Sequence, residues 1–166
     1  KDSWRGDFSY IFKNKNDKLI PFNPTGSDER QYCSPGINLP MGAIMRTPNS
    51  EFDEYHTSAD NLDFISSDHL EDSYNKIIKI LDIIENNDSY KNLFSQCEPQ
   101  LGKRGLYRKV GGQKINAESQ TAIKWILNYS DGQHSLIDIS KISGIDYWVL
   151  NKSAETLERH GLISKI

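Results

Sequence analysis

The chain has 166 residues, room for one ordinary domain or two small ones. Hydrophobic residues make up 36% and aromatic residues 10%, which supports a packed core and excludes global disorder. The formal net charge is −3, which gives no support to nucleic-acid binding, and no apolar run reaches the ~20 residues needed to cross a bilayer.

The start, Lys1 to Gly6, is charged and leads into no apolar stretch, so it does not read as a signal peptide. It also lacks an initiator Met, so a longer parent protein is expected. Cys33 and Cys97 lie far apart at no zinc-finger spacing and read as reduced thiols of a cytoplasmic protein.

Taken in order, the first region, about 1–67, is rich in turn residues. Asp7–Phe12 suits a short helix or strand, and Lys18–Phe22 a short strand stopping near Pro21. Gly42–Arg46 carries the apolar run Ala43, Ile44 and Met45, as in a strand covered on both faces of an α/β sheet. The second region predicts one long helix over about 68–86. Leu70, Tyr74, Ile77, Ile78, Leu81 and Ile84 fall on one stripe, and Ser66, Ser67 or Asp68 can cap it. A further helical piece is expected at Ser89–Phe94.

Residues 96–116 read as a linker with five glycines and prolines between Cys97 and Gly112. It holds Lys103, Arg104, Arg108 and Lys109 with no acid after Glu98. These bases read either as a solvated connector or as a contact for a phosphate or acidic partner.

Residues 117–166 predict three helices. Ala122, Ile123, Ile126 and Leu127 give the first its apolar face. Ser135–Ile142 forms the second, Ser143-Gly144 the turn, and Asp146 caps a third in which Tyr147, Leu150, Ala154 and Leu157 align. Gly161 closes it, and an extended tail follows. This order resembles the winged helix-turn-helix family, whose third helix usually enters the DNA major groove. Five basic residues stand against six acidic ones from Ala117 onward, which argues against DNA and for packing or protein interaction.

The densest polar chemistry lies in Gly26-Ser27-Asp28-Glu29-Arg30-Gln31-Tyr32-Cys33-Ser34-Pro35-Gly36 and in Glu54-Tyr55-His56-Thr57-Ser58-Ala59-Asp60-Asn61. On residue types alone, His56 is a loop histidine with no second His at ligand spacing, and His69 is a solvated first-turn residue. Order and wording are similar to co-catalytic zinc exopeptidases, which include leucyl aminopeptidases and glutaminyl cyclases. The likeness is greatest to a bacterial aminopeptidase-like branch that carries a winged helix after the peptidase domain.

The resemblance implies an α/β fold: the C-terminal part of an open-sheet zinc exopeptidase over 1–95, the linker, then a small all-α winged-helix-like domain over 117–166. It implies that His56 is a zinc ligand and that Asp28 is a carboxylate beside the metal. Glu29, Arg30 and Tyr32 would line the pocket for a peptide-like small substrate, and Asp60 would hold the loop presenting His56. The family's other ligands and its general-base Glu lie upstream of such a segment, and no such motif occurs between Lys1 and Thr25. The chain is therefore expected to be part of a hydrolase, inactive alone, that needs the missing N-terminal part or self-associates. The rival expectations are a winged-helix module binding nucleic acid or protein, and a catalytically dead peptidase fold that binds a ligand.

Overall fold

A computed structural model describes residues 18, 20–39, 41–49, 51–107 and 117–166. The chain divides into two compact units, Lys1–Asp82 and Ile83–Ile166. The division thus falls earlier than the boundary at residue 95 that the sequence suggests.

In the first unit a five-residue helix, α1 (Asp28–Tyr32), follows Ser27. Its end is locked by Cys33, only 4% exposed, whose thiol donates to the Leu39 carbonyl at 3.1 Å. The long helix α2 spans Ser67–Glu85. Arg46 fastens the preceding segment to its first turn, reaching Asp72 at 2.6 Å and the His69 carbonyl at 3.3 Å. The guanidinium hydrogen bond holds the Asp72 carboxyl below its usual range.

Two sequence expectations are corrected here. Gly42–Arg46 is irregular backbone, and the described residues of Lys18–Phe22 form no strand. Strand backbone must bond to a neighbour, and the described residues supply none. Ile44 and Met45 are exposed rather than covered on both faces. Asp7–Phe12 lies outside the described residues.

In the second unit, β1 (Ser89–Asn92) replaces the helical piece expected at Ser89–Phe94. So short a piece gains too little from its own helical bonds to nucleate, whereas two neighbours satisfy it as a strand. It sits centrally in a three-stranded antiparallel sheet of order β2-β1-β3, with β2 at Asp131–Ser135 and β3 at Ile163–Lys165. Lys91 pairs with Asp131 on one side and with Ser164 on the other. The expected all-α domain is thus three helices plus a sheet.

The helices are α3 (Ala117–Tyr129), α4 (Leu136–Ser143) and α5 (Tyr147–Arg159). Ser135 and Asp138 form a reciprocal capping box on α4. Gly144 then turns the chain with φ +71°, a value glycine adopts at little cost. Asp146 caps α5 by accepting from the Trp148 N–H at 2.9 Å. Ala122, Ile126, Leu136, Ile139, Tyr147, Leu150, Ala154, Leu157, Leu162 and Ile163 are almost wholly buried and form the core. The connector before β1 is tied in as well: Asn87 Oδ1 accepts from the Ile137 N–H at 3.0 Å, and Asp88 pairs with Lys165 at 2.6 Å. No described helix is long and apolar enough to cross a membrane.

Candidate functional site

The candidate residues of the first unit lie on two short pieces. On α1, Asp28, Arg30 and Tyr32 are exposed and Glu29 is half-buried. A side chain at residue 26 would overlap the Glu29 carboxylate, so Gly26 leaves the space into which Glu29 folds.

His56 belongs to a series of turns. Thr57 donates its N–H to the Glu54 carbonyl at 3.0 Å and its hydroxyl to the same oxygen at 2.8 Å. Its Oγ1 accepts from the Ala59 N–H at 3.2 Å. Asn61 closes the next turn: its Oδ1 accepts from the Asp63 N–H at 2.8 Å, and its amide donates to the Ser58 carbonyl at 3.2 Å. Asp60 contributes its backbone N–H, to the Thr57 carbonyl, and its side chain is exposed. The side chains that tie this loop are therefore Thr57 and Asn61, which the sequence reading had not singled out; side-chain turns of this kind are the signal that could have found them.

His56 itself has φ +59°, a left-handed conformation in which histidine is tolerated but uncommon. Its imidazole is exposed and lies face to face with the Tyr55 ring, centroids 3.9 Å apart and planes 20° from parallel. Tyr55 meets Phe52 edge-on at 5.6 Å, and Phe52 stacks on Phe64 at 5.8 Å. Among the described residues no hydrogen bond or ion pair joins Asp28 to His56. No three of His, Cys, Asp and Glu among them gather into a group able to hold a metal ion. These residues do not fit a metal site by themselves: they offer one imidazole donor where zinc takes three or four.

In the second unit, Lys103 and Arg104 lie on a single 3₁₀ turn, Gly102–Arg104. Lys103 is exposed, whereas Arg104 is half-buried with its guanidinium 5.0 Å above the Phe94 ring. Arg108 and Lys109 lie outside the described residues. On α5 the exposed positions are Trp148, Lys152, Glu155, Glu158 and Arg159, mixed in sign as the sequence count implied.

Against known proteins, residues 9–87 match a family described as a domain of unknown function, DUF4910, and residues 88–165 match a winged helix-turn-helix family. The chain is 48% identical over 148 residues to a Clostridium acetobutylicum protein described as a candidate polysaccharide biosynthesis protein with an aminopeptidase-like domain. The match covers 89% of this chain and 34% of that protein. It also superposes on the crystal structure of a candidate peptidase from Clostridium acetobutylicum, with TM-score 0.81 and 41% identity, covering 95% of this chain and 35% of that one. The chain spans about a third of the length of each. Its relatives are thus aminopeptidase-like and peptidase-like by name, and its second unit carries a winged-helix domain.

Proposed function

We propose that this chain is part of a zinc-dependent aminopeptidase-like hydrolase, that it supplies His56 as one metal ligand and part of a substrate pocket, and that it is inactive alone. The observation that carries the reading is the 48% identity to a protein named for an aminopeptidase-like domain of which this chain spans only 34%. The loop geometry supports it. An exposed imidazole held on a left-handed turn is free of protein hydrogen bonds among the described residues, so its ring nitrogens are available to an outside partner. Asp28, Glu29, Arg30 and Tyr32 are the proposed pocket residues, and the substrate is a small peptide-like molecule.

The test is metal analysis with an aminoacyl-anilide assay, on this chain and on a longer protein that contains it. The longer protein is expected to hold about two zinc ions per site and to lose metal on His56→Ala. The chain alone is expected to hold none tightly and to release no product. Robust hydrolysis by these 166 residues, or full zinc content without His56, would refute the reading.

We further propose that the α2 stripe is where the rest of such a domain packs. Leu70, Tyr74, Ile77, Ile78, Leu81 and Ile84 are each 36–64% exposed, while Ile80 and Ile83, displaced around the helix, are buried. So many apolar side chains left in water on one helix face mark an interaction surface.

A further inference from the structure

His56 and its neighbour carry a geometric detail that simple exposure does not require. In extended chain, consecutive side chains project to opposite sides. The left-handed backbone at His56 departs from that alternation, and its ring meets that of the preceding residue face to face at 3.9 Å. Tyr55 is itself braced. Phe52 holds it edge-on at 5.6 Å, and Phe64 stacks behind Phe52 at 5.8 Å, so four rings run in unbroken contact from Phe64 to His56. The Tyr55 hydroxyl makes no hydrogen bond among the described residues, which leaves the ring face as the working part of the side chain. The hydrogen bonds that shape the loop come from Thr57 and Asn61 and do not involve Tyr55.

We propose that Tyr55 is a positioning residue: its ring, braced by Phe52 and Phe64, fixes the direction in which the His56 imidazole is presented. An unstacked imidazole would rotate freely about its two side-chain torsions, and freezing it when a partner binds would weaken binding. Stacking removes that freedom beforehand, much as hydrogen-bonding neighbours orient metal-bound histidines elsewhere. The value of this device rests on the proposed role of His56 as a ligand; the orientation itself does not.

The experiment is a nuclear magnetic resonance series on the 166-residue chain, reading the imidazole protons of His56 against those of His69 and His160. In the wild type the His56 protons are expected to be displaced upfield by the Tyr55 ring current. Tyr55→Phe retains the displacement, and Tyr55→Leu abolishes it while amide exchange at Asp60 and Phe64 quickens by no more than about fivefold, the cost of the lost stack. Phe52→Leu, which removes the brace, reduces it. Undisplaced His56 resonances in the wild type, or loss of the displacement in Tyr55→Phe, would overturn the proposal. The zinc content of a longer protein that contains this chain separates the two readings. A displaced His56 whose replacement by alanine leaves that zinc content unchanged keeps the positioning standing and counts against the ligand role. If zinc does engage His56, Tyr55→Leu is expected to weaken that engagement about tenfold, within the range known for residues that orient ligands. Where His56 does hold zinc, equal affinity in Tyr55→Leu and wild type would overturn the proposal.

Discussion

Replacing His56 by glycine and, separately, by alanine tests whether this residue is kept for something other than stability. Both changes remove the stack on Tyr55, whose loss costs about 1 kcal/mol. Alanine keeps the left-handed backbone at φ +59° and with it the strain of an L-residue there, roughly 1–2 kcal/mol. Glycine relieves that strain but gives back about 0.5–1 kcal/mol through the greater freedom of its unfolded chain. His56→Ala is therefore expected to loosen the loop by about 1 kcal/mol, and His56→Gly to leave it near the wild type. The difference, about 1 kcal/mol, is roughly a fivefold change in local opening. Amide hydrogen exchange at Thr57, Asp60 and Phe64 reads it directly, because each donates a hydrogen bond inside the loop. If alanine protects these amides as well as glycine or better, the strain argument fails. If it holds, glycine would serve the fold as well as histidine does, and the imidazole must be explained by what it binds.

Two further outcomes follow from burial. Tyr90 is 4% exposed, and burial, with Asp88 nearby, pushes its hydroxyl up from 10.0 to about 12; Tyr147 is pushed up by burial too. Each holds its proton more tightly when folded, so the stability it contributes is complete below pH 10 and is lost as pH rises towards and beyond 12. Circular dichroism across that range should show the second unit melting progressively, with a shallower dependence in Tyr90→Phe; an unchanged slope in that variant would contradict the assignment. On α2, sedimentation of the 166-residue chain should show self-association through the apolar stripe, reversed by Leu81→Glu, whereas a clean wild-type monomer would remove the argument for that surface.

What could be read from residues alone divides along the range of the interactions. Helices α2 to α5, the turn at Gly144 and the cap at Asp146 were legible, because periodicity and these two residues act within a few positions of where they appear; Ser135, read as the first residue of α4, is its cap. The extended tail after Gly161 was legible as well and forms β3, but β1 and β2 were not. Ser-Tyr-Lys-Asn at 89–92 and Asp-Gly-Gln-His-Ser at 131–135 are polar and short, and only pairing across some forty residues makes them a sheet. Gly42–Arg46 shows the reverse error: an apolar run suggested a strand where the described residues hold no partner for one. In the candidate site, His56 stood out through its family wording, but its left-handed backbone and the ring behind it are facts of three-dimensional geometry. The role expected of Asp60 illustrates the same limit, since the side chains that tie the loop belong to Thr57 and Asn61.

The tether that precedes β1 bears on how the winged-helix domain can be isolated. The matching family begins at residue 88, one position after Asn87, whose side chain caps helix α4 fifty residues away, and five after Ile83, whose carbonyl accepts from the Tyr147 hydroxyl at 3.4 Å. A gene fragment cut at the family edge would discard both anchors, leaving the second amide of α4 and a deeply buried phenol without their partners. The second compact unit begins at Ile83, so the last residues of the long helix fall within the same unit as the winged helix.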